Sequence, residues 1–180
     1  DFVDKGGKYI TLTGGEPSLV NLEKYLYECY KRGIQCAVLT NGSMLTDELC
    51  KCLKESKTIV QVSLDGDDYT FSNVRNGGSY SKVLEGIKKL CHFGIVYDIS
   101  FMPCKVNISS FKSIVNIAIQ NNANSIHMPL LEDYGSASIN YPLLHLDDEE
   151  LIVFFDELID EYYNVLRERL RITYIDAIDK

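Results

Sequence analysis

Short apolar runs alternate with helical stripes along this chain. Residues 9–13 read as a β-rich run closed by Gly14 and Gly15. Across residues 21–32, Leu22, Tyr25, Leu26 and Cys29 share one helical face until Gly33 stops it. Residues 35–40 repeat the strand pattern and end in Asn41-Gly42. Thr46 then caps a helix over 47–55, whose first turn carries Asp47 and Glu48, where the helix dipole favours negative charge. A third strand over 58–64 ends at Asp65-Gly66, a helix over 81–93 stops at Gly94, and a fourth strand over 96–102 runs up to Pro103. Ser109 is placed to cap a helix over 109–121. A fifth strand over 125–128 ends at Pro129, and a polar loop with Gly135 and Ser136 follows. Residues 147–171 read as one long acidic helix, opened by Asp147 and Asp148 and closed by Arg167, Arg169 and Arg171.

Strands alternating with helices imply parallel βαβ units with right-handed crossovers. The expectation is an α/β fold in a single domain over residues 1–180, since no low-complexity linker interrupts the alternation. A barrel or partial barrel and an open doubly wound sheet both fit this pattern. In either architecture ligands gather at the C-terminal ends of the strands, so those ends carry the functional information.

Composition narrows the function classes. The chain has 180 residues, 46% apolar and 24% charged, which suits an ordinary folded domain. Its net charge of −8, with no dense Lys/Arg cluster, argues against nucleic acid or an anionic membrane as partner. No apolar run reaches the roughly 20 residues of a membrane span. The N-terminus, Asp-Phe-Val-Asp, has no signal-peptide pattern and no initiator Met, so a cytoplasmic fragment of a longer protein is expected. The six cysteines, Cys29, Cys36, Cys50, Cys52, Cys91 and Cys104, show neither CxxC nor zinc spacing and are expected as reduced thiols. Cys50 and Cys52 lie two apart on a helix and point to different faces, so no metal site is expected there.

The strand ends hold the candidate chemistry. After the first strand comes Thr13-Gly14-Gly15-Glu16-Pro17. Two residues without Cβ let the backbone turn sharply and approach a ligand, and carbonyls beside the Glu16 carboxylate make a receptor for an ammonium group. A simple βα turn with a solvated Glu fits the same residues. The second strand ends in Asn41-Gly42, a pair that readily takes left-handed turn geometry. On the third strand, alternation sets Gln61, Ser63 and Asp65 on one face and Val62 and Leu64 on the other. Three polar side chains buried together call for a ligand to satisfy them.

Thr-Gly-Gly-Glu-Pro, Thr-Asn-Gly, Ser-Leu-Asp-Gly and an Arg some ten residues later, in this order, resemble the radical S-adenosylmethionine (SAM) superfamily over residues 9–129. The branch most alike is the one that matures peptides and proteins, of the sulfatase-maturing type, whose members often carry C-terminal auxiliary-cluster domains. The resemblance implies a partial parallel (β/α) barrel of about five βα units. It also implies that Gly14, Gly15, Glu16 and Pro17 receive the methionine ammonium of SAM, with Ser63 and Asp65 near its ribose or carboxylate and Asn41 close by. Arg75 would pair with the methionine carboxylate, and Met128, in His127-Met128-Pro129-Leu130, would contact adenine. His127 is the one His at a strand end and could face substrate.

The same family cleaves SAM reductively with a [4Fe–4S] cluster held by CxxxCxxC, and that motif does not occur here. The expectation is therefore a core lacking the first βα unit, with the cluster belonging to a full-length parent and this chain inactive alone. Removing that unit would leave the first strand as an unpaired edge, which invites dimerisation. The leading expectation for the parent is modification of a peptide or protein by hydrogen abstraction. A small-molecule enzyme of the molybdopterin-precursor type and a degenerate SAM- or peptide-binding module are the alternatives. No residue is assigned to catalysis or to metal.

Overall fold

The computed structural model describes residues 2–75, 77–161 and 171–174. Six strands alternate with helices: β1 Tyr9–Leu12, α1 Leu22–Lys31, β2 Gln35–Thr40, α2 Asp47–Glu55, β3 Ile59–Ser63, α3 Phe71–Val74, α4 Tyr80–His92, β4 Tyr97–Ser100, α5 Phe111–Gln120, β5 Ser125–Met128, α6 Tyr141–Leu144, α7 Asp148–Glu161 and β6 Arg171–Tyr174. The strand order in the sheet is β1-β2-β3-β4-β5-β6. By internal contacts the chain forms two compact units, residues 1–63 with 81–98, and residues 64–80 with 99–180.

In the first unit β1, β2 and β3 pair in parallel, with Tyr9 opposite Gln35 and Ala37 opposite Ile59. One face of β2 and β3 buries Cys36, Val38, Val60 and Val62, and the helices supply Leu26, Leu49, Leu53, Ile87 and Leu90 to the same core. This is the period-two pattern of strands covered by helices on one side. Thr46 caps α2 as expected, its side chain accepting the Leu49 amide at 3.1 Å. Asn21 does the same for α1, accepting the Lys24 amide at 3.2 Å. β1 is much less covered. Among the described residues it pairs with β2 alone, and Tyr9 is 75% exposed.

The second unit packs around aromatic side chains. Phe101 lies 5.5 Å from Phe111, and Phe111 meets Phe154 of α7 edge-on at 5.3 Å. Ile99, Ile114, Ile126 and Leu158 complete that core. β5 pairs in parallel with β6, Ser125 opposite Arg171.

Several local expectations change. Ser109 does not cap α5; a 3-10 turn over Ile108–Ser110 leads into it, and Ser110 precedes the helix with no side-chain cap. The loop around Gly135 forms a 3-10 turn over Gly135–Ile139, followed by the short α6. α7 is described from Asp148 to Glu161, and Arg171, expected to close it, opens β6. Pairing with β5 selects that short run as a strand. Residues 162–170, with Arg167 and Arg169, lie outside the described residues. Among the described residues no helix is long and apolar enough to cross a membrane.

Candidate functional site

In the first unit the candidate residues gather around Glu16. Gly14 and Gly15 both hold positive φ, +90° and +58°, which a side chain would strain. A Cβ built on either meets nothing within 4 Å, so this turn presents bare backbone to open space. Glu16 caps the 3-10 turn Pro17–Leu19 that follows. Its Oε1 accepts the Ser18 amide at 3.1 Å, the Ser18 hydroxyl at 2.6 Å and the Thr40 hydroxyl at 2.5 Å. Its Oε2 accepts the Asn41 amide at 2.7 Å. The carboxylate therefore ties the end of β1 to the end of β2 and is not a solvated loop Glu. Burial pushes its pKa up, but the hydrogen bonds from Ser18, Thr40 and Asn41 outweigh burial and hold it below the ordinary value.

Thr40 donates to Glu16 and accepts the Gly42 amide at 3.0 Å, which fixes the Thr-Asn-Gly turn. Asn41 spends its side-chain oxygen on the Ser43 amide and hydroxyl at 2.8 and 2.6 Å. Pro17 is buried, so its ring serves packing and the start of the turn. Ser63 ends β3 half-buried.

In the second unit the candidates gather around Asp65. Asp65 is 1% exposed, whereas Gln61 and Ser63 are only half-buried, so the expected trio of buried polar groups reduces to one. That one is satisfied within the chain. Arg75 donates from Nε at 2.7 Å and from Nη2 at 2.5 Å to Oδ2, and the Met102 amide donates to Oδ1 at 2.9 Å. Burial of Asp65 thus requires no ligand. Arg75 has a side chain 41% exposed and five N–H donors, of which Asp65 takes two. Gly66 is needed where it stands, because a Cβ there would meet the Phe71 amide nitrogen at 2.7 Å. The next turn is held by Asp67, whose Oδ1 accepts the Tyr69 and Thr70 amides at 3.1 and 2.9 Å.

Asn107 is a residue the sequence reading missed. It is 0% exposed, and its Nδ2 donates to the carbonyls of Asp65 and Met102, each at 2.9 Å. Its Oδ1 accepts the Cys104 amide at 2.8 Å. A single Asn in Cys-Lys-Val-Asn carries no local signal of this role. Ser18 and Thr40 likewise carry no local signal of their bonds to Glu16, although Thr40 opens the Thr-Asn-Gly turn. Met128, assigned to adenine, is 1% exposed, so its side chain packs in the core and offers no surface to a ligand. His127 is half-buried. A cavity of about 350 Å³ near Pro103 and Leu130 is lined by Tyr141, Asp147 and His145, whose buried Nδ1 has no hydrogen-bond partner among the described residues.

Residues 1–118 match the family model of the Radical SAM superfamily. The chain is 31% identical over 137 residues to "Probable GTP 3',8-cyclase" of Sulfurisphaera tokodaii, covering 74% of this chain and 44% of that protein. It is 35% identical over 100 residues to "Serine-type anaerobic sulfatase-maturating enzyme" of Bacteroides thetaiotaomicron, covering 49% of this chain and 24% of that one. The crystal structure of Streptococcus suis SuiB bound to S-adenosylmethionine has a TM-score of 0.76 at 17% identity, over 94% of this chain and 40% of that one. SuiB has also been solved bound to its precursor peptide SuiA. That likeness shows the fold, parallel α/β as in the radical SAM partial barrel. The chain spans about half the length, or less, of the relatives it matches. It belongs to the radical SAM superfamily, whose members use SAM and a [4Fe–4S] cluster.

Proposed function

We propose that this chain is the SAM-holding core of an enzyme that modifies a peptide or protein by hydrogen abstraction. The observation that carries the reading is Arg75, a half-exposed guanidinium held by the buried Asp65 at a strand end. A guanidinium fixed on one edge is preorganised for a carboxylate on another. Asp65 gives both carboxylate oxygens to Arg75 and Met102, so we assign it to orienting Arg75 instead of holding the ribose.

The residues present fit SAM. Gly14 and Gly15 offer exposed backbone beside the Glu16 carboxylate, suited to the methionine ammonium. In the second unit Arg75 suits a carboxylate such as that of methionine, and in the first unit Ser63 and Asn41 suit polar groups such as those of a ribose. The residues described do not fit the cluster. Among them no group of three or more His, Cys, Asp or Glu could hold a metal, and the cysteines are spread over α1, β2, α2, α4 and the loop after β4. In the family SAM supplies the group that abstracts hydrogen. The chain's own residues bind and orient it, and we propose that alone they do so without cleaving it.

Titration calorimetry with SAM and with decarboxylated SAM tests the reading. SAM should bind more tightly, and Arg75→Ala should erase the difference. Equal binding of the two ligands by the native chain would refute it.

A small-molecule substrate is the second reading, supported by the 31% identity to the cyclase from Sulfurisphaera tokodaii. Competition by GTP against SAM-loaded protein, with no effect of peptides, would favour it. We also propose that β1, paired on one edge only among the described residues, associates with a second copy.

A further inference from the structure

Arg75 uses its Nε–H and Nη2–H, the side edge of the guanidinium, on a single oxygen of Asp65. Among the described residues, what remains is the end edge, Nη1 with the second Nη2 hydrogen, a planar fork matched to a carboxylate. Which edge points outward is decided by where the Asp65 carboxylate sits, and Asp65 has two further restraints. The Met102 amide holds its Oδ1, while Asn107 Nδ2 bridges the carbonyls of Asp65 and Met102. Asn107 thus clamps both residues flanking the Oδ1 contact. Its third bond, from the Cys104 amide, stops the amide group from rotating.

The side-chain chemistry is specific. Two carbonyls must receive hydrogens from one planar nitrogen while an oxygen on the same group faces an N–H. Asn supplies that set at this length and Asp does not. Because Asn107 itself is sealed from water, the loss of its bonds is poorly compensated by solvent.

We propose that Asn107 is a positioning residue, which acts through Asp65 to keep the end edge of Arg75 available to the carboxylate of a bound ligand. The inference rests on the reading that this ligand is SAM. Asn107 touches no ligand itself.

The test is Asn107→Asp, which keeps the shape and turns the double donor into an acceptor. Two readouts are taken on the folded chain. One is hydrogen exchange of the Arg75 Nε–H by NMR, which needs no ligand. The other is SAM affinity by calorimetry, in the native and Arg75→Ala backgrounds. The expected results are faster Nε–H exchange and SAM binding weakened about tenfold, with no further loss when Arg75 is already Ala. Both effects should reverse as pH falls and the introduced carboxyl gains a proton to donate, which a general loss of stability would not do. If Asn107→Asp does not fold, Asn107→Ser keeps one donor and is read in the same way. Unchanged Nε–H protection would overturn the proposal, as would equal affinity losses with and without Arg75. If native and Arg75→Ala chains both ignore SAM, the SAM reading fails and the exchange result alone decides the role of Asn107.

Discussion

Thr40 donates its hydroxyl to Glu16 at 2.5 Å, and the two residues close the ends of successive strands on each other. Glu16 was expected as a ligand-facing carboxylate, and the structure makes it also the tie between the Gly-Gly turn and the Thr-Asn-Gly turn. Removing the hydroxyl with Thr40→Val leaves a half-buried carboxylate short of a donor. It should cost about 1–2 kcal/mol in urea unfolding, with the midpoint falling and the slope unchanged.

Acid should reveal the same tie. The pKa of Glu16 is lowered in the folded chain, below the ordinary value of a glutamate carboxyl, by the hydrogen bonds from Ser18, Thr40 and Asn41. Its contribution to stability is therefore present above the unfolded value and disappears as pH falls through the lowered folded one. Stability measured from pH 6 down should decline across that acid range, and Glu16→Gln should flatten part of the decline. An unchanged acid limb in Glu16→Gln would show that the hydrogen bonds do not favour the ionised form.

Asp65 and Arg75 are unequal partners, one sealed and one half-exposed. Arg75→Ala strands a buried carboxylate with the Met102 amide as its remaining donor, and should cost about 2–3 kcal/mol. Adding Asp65→Asn should recover part of that loss, because the stranded charge is gone. Chemical denaturation of the two single variants and the double variant measures the coupling. Additive losses would mean that the pair contributes little.

Gly86 of α4 lets the helix approach the Thr-Asn-Gly turn. A Cβ at Gly86 would stand 2.1 Å from the Gly42 carbonyl oxygen, a backbone atom that cannot swing aside. Gly86→Ala gains helix propensity but should still lose about 1–3 kcal/mol through overpacking. That corresponds to a fall in Tm of about 2–4 °C per kcal/mol for a chain of this size. A raised Tm would show that the turn moves freely.

The thiols should divide by burial. Cys29, Cys36, Cys50 and Cys104 are buried, and Cys52 and Cys91 half-buried. Burial, then Cys29 beside it, pushes the Cys36 thiol up to about 12. Timed alkylation of the native chain at pH 8 should mark Cys52 and Cys91 first, and the other four only after denaturation. Early labelling of Cys36 would show local opening at β2.

The open edge of β1 predicts self-association. Size-exclusion over a wide concentration range should show a dimer forming, and Thr11→Pro, which removes a backbone N–H from the exposed strand, should weaken it. A monomer at all concentrations would exclude pairing through this edge.

The alternation of elements and the positions of the motifs are local properties, legible residue by residue. Apolar spacing located β2, α2 and β5 to the residue, because period and punctuation coincide there: Asn41-Gly42 after β2, Thr46 before α2, Pro129 after β5. Gly14, Gly15 and Asp65-Gly66 stood out for the same local reason, since turns that need positive φ or close approach select Gly. Tertiary structure decided the partners. No local pattern says that Glu16 meets Thr40 across 24 residues, that Arg75 turns back on Asp65, or that Asn107 spans 42 residues to the Asp65 carbonyl. The first arises because paired parallel strands bring residues distant in sequence to the same end of a sheet, and the second because the turn of α3 folds the chain back on the end of β3. Tertiary pairing also placed β6, whose four residues become a strand by pairing with β5, and buried Met128 in the core. A sequence marks where a chain turns and which residue types stand there; which of their atoms are left for a ligand depends on the bonds made once distant turns meet.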